Sequence, residues 1–138
     1  MRERLVTVTE NGKGDFGLTV DIGAHRLTAD EPVEAGGEGN GPDPYEFVMA
    51  GLGACTAMTV RLYARRKQWP LEHLQVLVTH PQQRSEGGAT DTFDRKITLT
   101  GPLTDEMRGR LLDIATRCPV SKTLSLGSEL RAGLADAE

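Results

Sequence analysis

The fold is constrained most by residues 43–67 (DPYEFVMAGLGACTAMTVRLYARRK), the only long segment with helical periodicity. Asp43 is a good N-cap residue, Pro44 suits the first helical position, and Glu46 follows Asp43 at capping-box spacing. Two apolar rows run along the segment: Val48, Leu52, Cys55, Thr59 and Leu62, and beside them Phe47, Ala50, Ala54, Met58 and Leu62. We therefore predict a helix over residues 43–67 that is buried on most sides.

Small residues precede the cysteine of this helix. Gly51 and Gly53 each cost an interior helical position roughly 0.5–1 kcal/mol relative to Ala, so we expect another element to approach the helix closely there. The Cys55 thiol would then lie in a narrow cleft. A helix with two apolar rows needs more cover than the rest of the chain supplies, which predicts a homodimer.

The remaining elements are predicted from alternation and turn residues. Strands are expected at residues 3–10, 16–22, 25–29, 74–79 and 93–100, and a weaker one at 124–134. Thr104 should cap a second helix that carries Cys118 at its buried C-terminal end and is closed by Pro119. This order predicts an α+β fold with antiparallel sheets, a long central helix and a second helix.

Composition excludes several classes of protein. The 138 residues suit a single domain over residues 1–138, with 38% hydrophobic and 26% charged residues. A net charge of −4 and few aromatic residues argue against a nucleic-acid surface. The N-terminus lacks an apolar signal region, and no run approaches the roughly 20 apolar residues of a membrane span, so we expect a cytoplasmic protein without a membrane partner.

The two cysteines are the only residues that point to chemistry. Cys55 and Cys118 could be buried, inert thiols, for which cysteine is well suited. They could instead form a reactive pair, in which a thiolate attacks a peroxide and the second thiol condenses with the resulting sulfenic acid. Two cysteines exclude a four-cysteine zinc site, and His25, His73 and His80 lack metal-ligand spacing, so we expect no metal or cofactor.

Two motifs resemble a known family. GPDPYEFVMAGLGACTAMT resembles the region around the first cysteine of the OsmC/Ohr family (osmotically inducible protein C and organic hydroperoxide resistance proteins), and RCPVSKTL resembles the region around its second. The resemblance implies an intertwined α+β homodimer with a site at the subunit interface and thiol-dependent reduction of organic hydroperoxides. It also implies that Cys55 is the peroxidatic cysteine and Cys118 the resolving one.

The polar half of the implied site differs from the family pattern. An arginine from the N-terminal strands pairs with a glutamate in that family, whereas the matching positions here are Lys13 and Tyr45, with Glu46 one residue further on. Lysine offers a point charge and not a planar fork, and a phenol cannot replace a carboxylate that anchors a guanidinium. The sequence therefore resembles a less-characterised OsmC-like branch. The expected substrate-binding residues are Lys13, Tyr45, Glu46, Phe47, Leu52 and Met58.

Two functions follow from these observations. The first is a cysteine peroxidase in which Cys55 attacks an organic hydroperoxide, Cys118 resolves, and a thiol reductant resets the pair. An apolar cleft around Phe47, Leu52 and Met58 would select an alkyl chain. The second is a binding or thiol-sensing protein that uses the same cleft for a small apolar or thiol-bearing ligand without turnover, which the Lys13 and Tyr45 differences favour.

Overall fold

The computed structural model describes residues 3–135 and divides into two compact units, Met1–Ala50 and Gly51–Glu138. Its strands are β1 (Val6–Glu10), β2 (Leu18–Ile22), β3 (His25–Ala29), β4 (His73–Gln82) and β5 (Thr92–Thr100). Its helices are α1 (Pro44–Lys67), α2 (Asp105–Ala115) and α3 (Pro119–Leu126). Both sheets are antiparallel, so the predicted α+β class is confirmed.

The first unit is built on a three-stranded meander in the order β1-β2-β3. The following Gly-rich loop is organised by Asp30, which is buried and accepts the backbone N–H groups of Glu31 at 2.8 Å and of Glu38 and Asn40 at 3.2 Å. A carboxylate that accepts three N–H groups satisfies loop backbone that a sheet or helix would otherwise pair. The loop is therefore internally bonded.

The start of α1 follows its sequence signals closely. The Asp43 N–H donates to Glu46 Oε1 at 2.9 Å, and the Glu46 N–H donates to Asp43 Oδ1 at 2.8 Å. These reciprocal bonds form the predicted capping box. They also occupy the Glu46 carboxylate at the helix terminus.

The second unit packs helices on a two-stranded hairpin. In the β4–β5 register Leu74 pairs with Leu99, Val76 with Ile97, and Val78 with Arg95, and these side chains share one face as the alternation predicted. The core lies here and consists of Val60, Ala64, Leu71, Leu111 and Ala115. An added Cβ on Gly53 would meet Val78 Cγ2 at 3.2 Å, so the predicted close approach exists at Gly53, whereas nothing lies near Gly51.

The buried face of α1 differs from both predicted apolar rows. The buried residues are Leu52, Thr56, Val60 and Ala64, spaced by four, while Met58 is 71% exposed. A count of apolar positions omits this stripe because Thr56 is polar, yet its hydroxyl donates to the Leu52 carbonyl oxygen at 2.7 Å and can therefore be buried. Within the described residues, α1 buries one stripe and is not covered on most sides.

The C-terminal segment corrects two predictions. The α2 helix is capped by Thr104 as expected, but it ends at Ala115 and does not carry Cys118. Pro119 begins the further helix α3 instead of closing α2, because proline is well suited to the first helical position. The strand expected at residues 124–134 is absent: α3 extends to Leu126, and residues 127–135 have no regular structure.

The α1 helix corrects the expectation that no segment is long and apolar enough to span a membrane. With 24 residues, α1 is long and apolar enough to cross a membrane by composition alone. This is weak evidence, since the core helix of a soluble protein passes the same test. Its buried stripe packs within the second unit, where Val60 and Ala64 belong to the core.

Candidate functional site

Cys118 lies at the N-terminus of α3. It is the N-cap residue, and its Sγ accepts the backbone N–H of Ser121 at 3.4 Å. Its side chain is fully buried, with 0% exposure. A helix N-terminus carries partial positive charge and favours an anion, so this position stabilises a thiolate.

Arg95 reaches the same sulfur from the middle of β5. Its Nη1 donates to Thr56 Oγ1 at 2.9 Å and to the Ala115 carbonyl oxygen at 3.2 Å, and it lies 3.8 Å from Cys118 Sγ. Its Nη2 donates to Ser121 Oγ at 3.2 Å. The planar guanidinium therefore ties together α1, the end of α2 and the start of α3 around one thiol.

Thr56 joins the arginine to the cysteine. Its Oγ1 lies 3.5 Å from Cys118 Sγ, and either atom can be the donor. The hydroxyl also bonds the Leu52 carbonyl oxygen, so it can turn from that carbonyl toward the sulfur when Cys118 is ionised. The Leu52 oxygen keeps its helical N–H bond in either case.

Cys55 precedes Thr56 on α1 and is half-buried. Its side chain is near enough to that of Cys118 to lower the pKa of the Cys118 thiol, so the two thiols are neighbours although they are far apart in the sequence. Burial raises the pKa of the Cys118 thiol. Hydrogen bonds from Thr56, the Ser121 N–H and Cys55, together with the Arg95 charge, outweigh burial and place that pKa below its ordinary value.

Comparison with known proteins identifies the family of this chain. The sequence model of the family described as OsmC-like protein matches residues 37–131, well over half of the chain. The chain belongs to the OsmC family. Among curated proteins no match is found.

Solved OsmC-family structures have the same fold. An OsmC-like protein from Mycoplasma pneumoniae is 22% identical with a TM-score of 0.75, covering 90% of this chain and 88% of its own. An organic hydroperoxide resistance protein from Elizabethkingia anophelis, with thiocyanate bound, is 20% identical with a TM-score of 0.70, covering 89% and 88%. A Legionella pneumophila organic hydroperoxide resistance protein OsmC is 22% identical with a TM-score of 0.61, covering 90% of both chains.

The OsmC-like site contains some of the residues expected from the sequence. Cys55 and Cys118 are brought together, as the reactive-pair hypothesis requires. Of the expected substrate-binding residues in the second unit, Leu52 is 3% exposed and belongs to the buried stripe, whereas Met58 projects to solvent. Neither is a hydrogen-bonding partner of the two thiols.

The other expected substrate-binding residues belong to the first unit. Lys13 is exposed, and its backbone N–H donates to Asn11 Oδ1 at 2.9 Å. Tyr45 is about half exposed, and the Glu46 carboxylate is held in the capping box. Phe47 lines an open pocket of about 370 Å³ together with Leu27, Thr28, Asn40, Gly41, Pro42, Glu46 and Ala50. Neither cysteine lines this pocket.

Sequence reasoning missed Arg95, Thr56 and Ser121. Arg95 had a usable signal, because it interrupts the otherwise apolar face of β5 formed by Phe93, Ile97 and Leu99. A charged residue that faces inward needs a partner. Among residues 3–135, no group of three His, Cys, Asp or Glu side chains could hold a metal ion.

Proposed function

We propose that this OsmC-family protein is a thiol-dependent peroxidase that reduces organic hydroperoxides through the pair Cys55 and Cys118. The observation that carries the proposal is the grouping of Cys118 with Arg95 and with Thr56, the residue that follows Cys55 on α1. Paired thiols with hydrogen-bond donors and a nearby cation are suited to thiolate chemistry, whereas inert buried cysteines need neither. The organic hydroperoxide resistance proteins of the same fold support this reaction class.

The half-buried Cys55 is assigned the attack on the peroxide because Cys118 has no exposed surface. The Cys55 thiolate forms a bond to the terminal peroxide oxygen, the O–O bond breaks, and the leaving alkoxide takes a proton to become an alcohol. Cys118 then attacks the sulfenic sulfur, a disulfide forms, and water leaves. Two thiols of an external reductant return the disulfide to the dithiol.

The substrate contacts remain proposals. Phe47 is the best supported, because its pocket has an apolar lining that includes Leu27, Pro42 and Ala50 and would suit an alkyl chain. Lys13 and Tyr45 occupy the positions of the family's polar pair, and Glu46, Leu52 and Met58 complete the set expected from the sequence. Replacing Phe47 with Ala should raise KM for cumene hydroperoxide more than KM for hydrogen peroxide, and equal effects on both would remove it from the substrate site.

We also propose that the protein is a homodimer. Met58 and Leu62 are exposed apolar side chains of α1 in the second unit, and a second copy of the chain would cover them. Sedimentation equilibrium at micromolar concentration should give about twice 14.9 kDa. A species of 14.9 kDa alone would contradict the dimer.

The reaction is tested by turnover with cumene hydroperoxide and a dithiol reductant. The unaltered protein should turn over, and Cys55→Ser should not. Before the reductant is added, Cys118→Ser should consume one equivalent of peroxide and accumulate a sulfenic acid that dimedone traps, and it should recycle only if an external thiol resolves that acid. Thr59→Ser is the control, since Thr59 lies on α1 and makes no side-chain hydrogen bond within the described residues. Turnover by Cys55→Ser at the unaltered rate would refute the proposed roles.

A second candidate function is favoured by the pocket itself. It has a mainly apolar lining, and neither cysteine lines it, so it could hold a small apolar ligand without redox chemistry. A non-turnover binding or thiol-sensing protein would bind such a ligand, measured by calorimetry, with no peroxide consumption. In that case Phe47→Ala should weaken binding of the ligand. Neither the reduced nor the oxidised cysteine pair should consume peroxide.

A further inference from the structure

Arg95 has no carboxylate partner in the part of the chain that the structure describes. Within residues 3–135 no Asp or Glu lies at ion-pair distance from its guanidinium, which is partly buried and contacts Thr56, Ser121, the Ala115 carbonyl and Cys118. Arginine stays charged in proteins, and a partly buried charge is costly unless an opposite charge or several hydrogen bonds compensate it. The only ionisable group among these four partners is the Cys118 thiol.

The surroundings of the sulfur are built for a negative charge. Three groups that can donate hydrogen bonds surround Cys118 Sγ: the Arg95 guanidinium from β5, the Ser121 N–H from α3, and the Thr56 hydroxyl from α1 once it turns from the Leu52 carbonyl. The Cys55 side chain adds a fourth. The α3 N-terminus contributes its dipole in the same direction.

We propose that Arg95 is the counter-ion of Cys118 and holds this buried residue as a thiolate in the reduced pair. In the peroxidase cycle on which the second part of this inference rests, Arg95 then speeds disulfide formation after Cys55 has been oxidised. Arg95 acts directly on the reacting atom in this step, because its Nη1 lies 3.8 Å from Cys118 Sγ.

The resolving step balances without a further reactant. The Cys118 thiolate donates an electron pair to the sulfenic sulfur of Cys55, the S–S bond forms and the S–O bond breaks. Hydroxide leaves and takes a proton from solvent to become water. The hydroperoxide that oxidised Cys55 is the oxidant, and the external thiols remain the reductant.

A thiolate at Cys118 also affects the equilibrium between dithiol and disulfide. Stabilising the thiolate stabilises the reduced pair, so the disulfide becomes the stronger oxidant. Removing the Arg95 charge should shift the reduction potential to more negative values. A tenfold change in the equilibrium constant corresponds to about 30 mV for this two-electron couple.

The direct test is the thiolate titration of Cys118, followed by ultraviolet absorbance. The Cys55→Ser background leaves one thiol and retains a hydrogen-bond donor, and subtraction of the Cys55→Ser/Cys118→Ser spectrum removes tyrosine ionisation. Absorbance is preferable to alkylation because Cys118 is buried. With Arg95 present, the midpoint should lie below the ordinary ~8.5.

Arg95→Gln removes the charge but keeps an amide donor for Thr56 or the Ala115 carbonyl. It should weaken the acidity of Cys118 by about tenfold, as expected for the loss of one nearby opposite charge. Arg95→Lys should recover part of this loss. Arg108→Gln is the matched control, because Arg108 is also half-buried and donates to the Leu99 and Gly101 carbonyls but to neither cysteine.

The outcomes separate this inference from the proposed function. If the Cys118 midpoint is unchanged in folded Arg95→Gln, or shifts equally in Arg108→Gln, Arg95 is not the counter-ion of Cys118. If Arg95→Gln does not fold, the neutral variant Arg95→Met replaces it, and an unchanged Cys118 midpoint in folded Arg95→Met overturns the counter-ion. A shifted midpoint without oxidation of Cys55 by cumene hydroperoxide leaves the counter-ion standing and refutes the peroxidase.

In the full dithiol protein, Cys55 of Arg95→Gln should be oxidised at the unaltered rate. The subsequent disulfide formation should slow by about threefold, because the greater nucleophilicity of a more basic thiolate offsets part of the tenfold loss of thiolate. Rapid quenching with dimedone measures the two steps separately. Disulfide formation at the unaltered rate in Arg95→Gln would overturn the second part of the inference.

Discussion

Thr56 is the position where stability and thiol chemistry can be separated most cleanly. Thr56→Val replaces the hydroxyl with a methyl group of nearly equal volume, so the packing of a fully buried side chain is kept. The substitution removes the acceptor for Arg95 Nη1 and one donor to Cys118 Sγ. The Leu52 carbonyl, the third partner, keeps its helical bond.

The expected cost is dominated by the arginine. A hydrogen bond to a charged group contributes about 1.5–3 kcal/mol, and the Ala115 carbonyl and Ser121 hydroxyl still accept from the guanidinium, so the lower end applies. We expect Thr56→Val to lower the free energy of unfolding by about 1.5–2 kcal/mol. With an m-value near 2 kcal/mol/M, the urea midpoint should fall by roughly 0.8–1 M.

Two variants make the assay decisive. Thr56→Ser keeps the hydroxyl and loses one methyl group, which costs about 0.8 kcal/mol through lost burial and should leave the acidity of Cys118 unchanged. Thr59→Val on the same helix controls for the general effect of the substitution. Urea unfolding in a reducing buffer measures all three. Equal midpoints for Thr56→Val and Thr59→Val would refute the hydrogen-bonding argument.

Three further predictions follow from burial, capping and ionisation. Leu111→Ala should cost about 3 kcal/mol because Leu111 is fully buried, whereas Leu112→Ala, at a side chain 56% exposed, should cost well under 1 kcal/mol by urea unfolding. Glu46→Ala should lower the melting temperature through loss of the capping box, at about 1 kcal/mol, while Glu46→Gln retains it; equal losses would contradict the cap. The folded pKa of Cys118 is lowered, so its stabilisation is complete above the unfolded value of ~8.5 and is lost as pH falls through the folded pKa; the stability gap between the unaltered protein and Cys118→Ser should therefore be larger at about pH 9 than at about pH 6.

Local signals in the sequence predicted most of the fold. The capping box around Asp43, the meander and the alternation of β4 and β5 all depend on neighbouring residues, and each is confirmed. The buried face of α1 was missed because Thr56 lies on it, and a polar side chain becomes tolerable there only through the Leu52 carbonyl and Arg95. Such compensation depends on partners distant in sequence, which periodicity cannot show.

The candidate site was predicted in its two cysteines and not in its cation. The family resemblance places the expected positive charge on the N-terminal strands, where Lys13 lies, and not on β5, which carries Arg95. Its opposition to Val78 in the β4–β5 register, beside the close approach of Gly53, explains how a strand residue reaches a helix-borne hydroxyl.

The helix to which Pro119 belongs determines the electrostatic environment of Cys118. If Cys118 ended α2, the negative end of that helix dipole would face the sulfur and oppose ionisation. Because Pro119 instead begins α3, the sulfur meets the positive end and accepts the Ser121 N–H. The Cys118 thiolate would be disfavoured at the end of α2, and it is favoured here because Cys118 lies at the start of α3. Pro119→Ala, which keeps this start, should preserve the acidity of Cys118, whereas Pro119→Gly, which weakens α3, should reduce it in the thiolate titration; equal acidity in both variants would refute this role of the helix.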